Sequence, residues 1–172
     1  RTELDNCAKK RGRKFWLACS SCQPVSCLRD GSCEGVQGCG EYVAQAGCDI
    51  WRTTTDIQAR WDSIMENLDL NSLMAPVQKA NPGHYNDPDM LQVGNVGLTI
   101  VEQKTHFALW ALMGGPLLIS TELSLLSEES LAILTNEGLI RMNQDTLVEQ
   151  GVRVGASGEG GEIWAKRMEG GT

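Results

Sequence analysis

The chain has 172 residues, 41% of them apolar and 22% charged, a composition that fits about one globular domain and excludes a disordered or fibrous polymer. A formal net charge of -7 argues against nucleic acid as a partner, because phosphate binding rests on clustered Lys and Arg. No run approaches the ~18 consecutive apolar residues of a membrane span, and no charged segment followed by an apolar one opens the chain at Arg1, so no membrane partner is expected either.

In chain order, the basic run Lys9 to Lys14 reads as a solvated helix end leading into a strand. That strand, Lys14 to Ala18, follows Gly12, which reads as a helix stop. A Cys-, Gly- and Ser-rich loop then runs to Gly40, and a short helix is expected around Tyr42 to Ala46. All seven cysteines fall within the first 48 residues. Cys19 and Cys22 form one CxxC, but no second follows and both histidines lie beyond residue 80, so disulfides are expected here and no metal site.

Asp49 to Thr53 reads as a second strand, and a helix opening at Asp56 carries Ile57, Trp61, Ile64, Met65 and Leu68 on one face. Met90 to Val93 closes a third strand segment interrupted by Pro82-Gly83 and Pro88. Thr99 to Met113 reads as a helix with a Thr99/Glu102 capping box and a Gly114-Gly115 stop. Leu117 to Ser120 gives a fourth strand, and a helix capped by Ser127 carries Leu131, Leu134 and Leu139. Beyond Gly151, Val152 to Val154 and Ile163 to Ala165 flank Gly158 to Gly161 as a β-hairpin.

Four β/α units make half of an eightfold barrel, which needs about 250 residues when whole. The rival is an open sheet with helices on both faces. Two segments concentrate chemistry: Cys48 to Ile57, and Gly83 to Leu91 with Gly94-Asn95. Both set carboxylates at or just past the carboxyl end of a strand, where β/α barrels build active sites. Taken singly, Asp56 reads first as a helix cap, and Asp87-Pro88-Asp89 as a turn. The mixture of Trp51, Arg52, Tyr85 and Asn86 around these acids suits a sugar, which offers an apolar ring face and a rim of hydroxyls.

The Trp-Arg-x-x-x-Asp-Ile string at Trp51 to Ile57 and Asn-Asp-Pro-Asp-Met at Asn86 to Met90 resemble glycoside hydrolase family 27, the α-galactosidases and α-N-acetylgalactosaminidases. Phe107 to Leu112, the Pro-Leu-Leu strand at Pro116 and Asn143-Gln144-Asp145 extend that resemblance from about Ala8 to the end of the chain. It implies that residues 1–150 are the second half of an α/β (β/α)8 TIM barrel, strands five to eight. Residues 151–172 would then begin an antiparallel β-sandwich domain. Asp56 matches the family's general acid/base and Arg52 its hydroxyl-binding arginine. Trp51 matches the aromatic beside that arginine and is counted with it as substrate-binding, Asp89 and Met90 match pocket positions, and Cys19 and Cys48 match a disulfide joining the ends of strands five and six.

The resemblance further implies retaining hydrolysis of terminal α-galactosides without a cofactor, in a secreted, extracellular, lysosomal or vacuolar enzyme, and leaves a homodimer open for the full-length protein. Retention requires two carboxylates about 5 to 5.5 Å apart, one of them a nucleophile. Asp5-Asn6-Cys7 mimics the family's nucleophile string, but only eight residues separate Asp5 from Lys14, too few for the helical crossover between parallel strands. The nucleophile is therefore expected upstream of Arg1, and the isolated chain is expected to be inactive. Two departures bear on substrate. Ser20 follows Cys19 as in the acetamido-accepting members but lacks the family's next tryptophan, and Tyr85 stands where Trp is usual.

Overall fold

Three short strands lie side by side in sequence order, all parallel: β1 (Ala18–Cys19), β2 (Ile50–Arg52) and β3 (Tyr85–Asp87). The computed structural model describes residues 18–19, 47–80, 83–158 and 160–170. A further parallel bridge joins Leu91 to Ile119, with the Leu91 amide donating to the Leu118 carbonyl at 2.7 Å. Strand order never reverses among the described residues. That is how a barrel wall grows, whereas a doubly wound sheet turns back at a switch point.

The third strand therefore lies earlier than expected, at 85–87 and not at 90–93, and the fourth shrinks to the Ile119 bridge. The cause is visible at Asp89, whose φ of 82° bends the chain out of extended conformation immediately after Pro88. The expected strand residues 14–17, the cysteine-rich loop and the helix at 42–46 lie outside the described residues.

Helix α1 spans Trp61–Leu73 and α2 spans Ala75–Ala80. The helix expected to open at Asp56 in fact begins five residues later, leaving 53–60 as a loop. Pro76 sits in the first turn of α2, where its missing N–H has no intrahelical acceptor to lose. Helix α3 (Ile100–Met113) forms as expected: Thr99 and Glu102 make both halves of the capping box, and Gly114 closes the helix in the left-handed region. A single helix expected after Ser127 is two, α4 (Glu128–Leu134) capped by Ser127 and α5 (Glu137–Asn143) capped by Asn136, and Leu139 belongs to the second. Asn136 has the stronger local signal, since its side chain accepts from the Leu139 amide and so starts a new helix.

Two apolar clusters hold these elements. The larger packs Ile64 and Leu68 of α1 with Leu91, Val93, Phe107, Trp110, Met113 and Ile133. The smaller packs Trp51 with Cys48, Met74 and Val77, with Cys19 against it. Each large side chain fully buried in this way contributes about 1.5–3 kcal/mol. The expected Cys19–Cys48 disulfide is present, with Cα atoms 6.0 Å apart. It joins the end of β1 to the residue two before β2, so its second anchor is the start of that strand.

The expected hairpin is β4 (Val152–Ala156) and β5 (Glu162–Ala165), antiparallel and separate from the parallel sheet. None of the described helices is long and apolar enough to cross a membrane.

Candidate active site

The pleat decides which residues can meet. Ile50 pairs with Tyr85, Trp51 with Asn86 and Arg52 with Asp87. Side chains alternate across a strand, so Arg52 and Asp87 share one face at the carboxyl ends of β2 and β3, while Trp51 and Asn86 share the other. The second face is the helix side. Trp51 is 0% exposed, stacks on His84 with ring centroids 5.8 Å apart, and donates from Nε1 to Asn86 Oδ1 at 2.7 Å. Its indole therefore has no surface left for a ligand. Among the described residues, Trp51 thus lies on the face of the sheet opposite Arg52.

Arg52 is the hub of the opposite face. One nitrogen, Nη2, lies 2.8 Å from Asp89 Oδ2 and 3.1 Å from Asp56 Oδ1. The same nitrogen donates to the Thr55 carbonyl at 2.9 Å and lies 3.3 Å from that of Thr54. The two carboxylates so joined differ sharply. The Asp89 side chain is 12% exposed and that of Asp56 is 99% exposed. A shielded pair is screened less than an exposed one, so the Arg52–Asp89 contact sets the geometry and the Arg52–Asp56 contact adds little to stability.

Asp89 is gripped at every polar atom. Oδ2 accepts from the Ile57 amide at 2.9 Å, Oδ1 accepts from the Met90 amide at 2.8 Å, and the Asp89 amide donates to Asp87 Oδ1 at 2.9 Å. Its carbonyl accepts from Trp110 Nε1 at 2.8 Å. These contacts sustain the positive φ, a conformation that Asp tolerates better than most residues. Burial raises the Asp87 carboxyl above the ordinary carboxylate range, against the lowering effects of the Asp89 amide and of Arg52. Met90, the next residue marked for the pocket, is 37% exposed. Ser20 lies outside the described residues.

Asp56 is consequently no helix cap. It projects from a loop between β2 and α1, five residues ahead of the helix, at the end of the sheet where Arg52, Asp87 and Asp89 converge. Helix α3 holds the second loop by three side chains on one face: Trp110 takes the Asp89 carbonyl, His106 Nε2 accepts from the Gln92 amide at 2.9 Å, and Gln103 Oε1 accepts from the Gly94 amide at 3.0 Å. A groove of about 550 Å³ opens at the other ends of the strands, lined by Ile50, Tyr85 and Gly114 to Leu117. Asp145 lines it, whereas Asp56, Asp87 and Asp89 do not. Among the described residues no group of three or more His, Cys, Asp or Glu is placed to hold a metal ion.

A parallel β/α wall with acids and an arginine at its carboxyl rim defines the class, a barrel-type segment with a polar site at the strand ends. The family profile described as alpha galactosidase A matches residues 8–145, and the chain belongs to that melibiase family of α-galactosidase-type glycoside hydrolases. The chain is 44% identical over 115 residues to an α-galactosidase of Oryza sativa subsp. japonica, covering 67% of this chain and 27% of the relative. It is 43% identical over 111 residues to the α-N-acetylgalactosaminidase of Mus musculus, covering 62% and 26%. A putative α-galactosidase of Bacteroides fragilis superposes with a TM-score of 0.72 at 28% identity, over 99% of this chain and 38% of the other. The chain thus spans about a quarter of the length of these two curated relatives.

The pairwise contacts Arg52–Asp89 and Asp89–Ile57 were not readable from motif spacing, because each joins residues from different β/α units, and Trp110–Asp89 links a helix to the loop before it across twenty-one residues. One further signal was present in the sequence and unused. Ser63, Asn67 and Asn71 recur at four-residue spacing, and all three are buried.

Proposed function

We propose that this chain supplies the acid/base half of a retaining glycosidase site for terminal α-galactosides, with Asp56 as the general acid and base. The observation that carries the reading is Asp56 itself: a solvent-reaching carboxylate on a loop fixed at both flanks, beside an arginine that is anchored independently by Asp89. Such a group can approach a leaving oxygen without rearranging the fold. Arg52 and Asp89 would receive sugar hydroxyls, Met90 would contribute an apolar edge, and Trp51 would act from behind by fixing β2 against β3. No cofactor is required.

The double displacement needs a nucleophile about 5 to 5.5 Å from the acid/base. It belongs to a segment N-terminal to residue 1, and the same segment would complete strands one to four of a barrel in which β1, β2, β3 and the Ile119 bridge are strands five to eight. Residues 151–172 would open the following β-sandwich. The Cys19–Cys48 disulfide supports a secreted or lysosomal-type compartment. A preference for 2-acetamido sugars is the second reading, favoured by Ser20 after Cys19.

The test joins this chain to the N-terminal barrel half of the rice relative and measures nitrophenyl and phenyl α-galactoside hydrolysis. D56A is expected to lose about 10²–10⁴-fold on the phenyl substrate, whose leaving group needs protonation, and far less on the nitrophenyl one. D5N should change neither. Equal losses on both substrates in D56A would remove Asp56 from the acid role, and retaining hydrolysis by the isolated chain would refute the missing nucleophile. Replacing galactoside by N-acetylgalactosaminide decides the second reading.

A further inference from the structure

Helix α1 carries three polar side chains on a face turned toward the Asp56 loop. Ser63, Asn67 and Asn71 are each buried, at 6%, 0% and 0% exposure. Residues four apart lie above one another on a helix, so the three form a stripe. Each meets the loop at a different height. Ser63 Oγ accepts from the Gln58 amide at 3.0 Å, and Asn71 Oδ1 accepts from the Thr53 hydroxyl at 2.6 Å.

Asn67, in the middle, reaches two loops. Its Nδ2 donates to the Thr55 carbonyl at 3.0 Å and to the Pro88 carbonyl at 3.1 Å, and its Oδ1 accepts from the Thr55 hydroxyl at 3.2 Å. Thr55 directly precedes Asp56, and Pro88 directly precedes Asp89. One amide thus fixes the residue before each site carboxylate, using both of its donors on carbonyls. An aspartate of the same shape would offer neither donor and would face two carbonyl oxygens with a charge.

We infer that Asn67 is a positioning residue that clamps the Asp56 loop to the Pro88–Asp89 turn and thereby sets where the acid/base carboxyl stands. The function rests on the reading of Asp56 given above, but the clamp itself can be tested without it. Bond counting supports the assignment. The Asp56 loop is held on one flank by Asp89 at the Ile57 amide and on the other by Arg52 and Asn67 at Thr55. Asp89 and Arg52 are groups a substrate would engage. Asn67 is buried behind the loop and stays engaged whether or not substrate is bound.

The experiment compares amide hydrogen exchange in this chain and in N67D. Loss of the clamp should speed exchange of the Ile57 and Gln58 amides about tenfold or more, the equivalent of one lost hydrogen bond, while Trp110 and Ala111 amides in α3 keep their parental rates. T55V removes only the hydroxyl contact from an exposed position, cannot unfold the core, and should give about a threefold local acceleration. In the joined enzyme described above, N67D should lower kcat on the phenyl substrate about tenfold with KM within about twofold, because the clamp acts on the acid and not on sugar contacts. Parental exchange at Ile57 in both variants would overturn the clamp. A loosened loop with unchanged kcat would overturn the positioning role. An inactive parental fusion would count against the Asp56 reading alone, leaving the exchange result to decide the clamp.

Discussion

Residues 47–113 and residues 152–165 are both rich in short strands, yet they stand on different supports. In the first region nearly every large side chain that the strands present on their helix side is buried, and the loops above the strands are held by side chains of α1 and α3. In the second, all five residues of β4 are exposed, and Val154 and Ile163 are 59% and 51% accessible. The hairpin is held by its own ladder, by Trp164 of β5 packed against the larger apolar cluster, and by surface ion pairs such as Arg153 with Glu162 at 2.6 Å. Site geometry is therefore built into the first region from within. In the second, β4 contributes little that the fold depends on, and Trp164 of β5 is the side chain that reaches the core. Substitutions should separate the two by magnitude.

The largest effect is expected at Asn86. Its amide links three elements, accepting from Trp51 Nε1 at 2.7 Å and donating to the Met74 carbonyl and to Gln150 Oε1 at 2.8 Å each. Gln150 in turn donates to the Asn71 carbonyl at 2.9 Å, carrying the network back to α1. N86L keeps the branching and heavy-atom count but strands three buried partners at about 1–3 kcal/mol each, so urea denaturation should show a loss of about 3 kcal/mol or more. A loss below about 1 kcal/mol would mean that water reaches this network, and the contrast between the regions would weaken.

How much of this was legible beforehand follows from the kind of signal involved. The capping box of α3 and the hairpin turn are local chemistry, and both were readable from a few adjacent residues. The start of α1 was misread because Ile57 keeps helical spacing with Trp61 and Ile64. Its amide is instead committed to Asp89, thirty-two residues away. The same long-range contacts bend β3 short at Asp89, against the apolar run at 90–93 that suggested strand. The resemblance pairs Trp51 with Arg52 as the aromatic beside the arginine, whereas strand alternation puts its side chain on the opposite face. Period two was available in the string itself and would have separated them. The residues around Asp56 and Asp89 stand out in the sequence because their motifs are dense, and their mutual contacts do not, because pairing between β/α units is invisible to a one-dimensional pattern.

A second, smaller effect separates the regions by pH. His106 is fully buried against Trp110, with ring centroids 4.2 Å apart, and desolvation lowers its pKa from 6.5 to about 3. Its Nε2 accepts from the Gln92 amide, so the folded ring is neutral with the proton on Nδ1. Between pH 6.5 and about 3 the unfolded chain binds this proton and the folded chain does not. Stability from His106 is thus complete above pH 6.5 and falls by up to about 1.4 kcal/mol per pH unit on acidification. Asp87, raised by burial, works in the opposite direction, because its protonated form is favoured in the folded state. Denaturation of H106Q between pH 7 and 5 should show a flatter slope than the parent. The same slope in both would place the acid sensitivity outside the α3 core.

The smallest expected effect falls on the hairpin, and it bears most directly on the comparison. Val154 is isosteric with Thr and 59% exposed, so V154T exchanges one methyl for a hydroxyl that water can solvate. Thr suits an exposed strand as well as Val does, which leaves an expected change within about 0.5 kcal/mol. Arg153 and Glu162 offer a second check, since ion pairs at this exposure are screened, and raising salt should move stability no more than V154T does. A loss above about 1 kcal/mol in V154T, measured in the isolated chain, would show that β4 is covered by protein after all. The natural site of that cover is the groove between the hairpin and the α1–α2 junction, where Val152, Val154 and Ala165 face Leu73, Ala75 and Pro76. A small change leaves residues 47–113 as the region that holds the site.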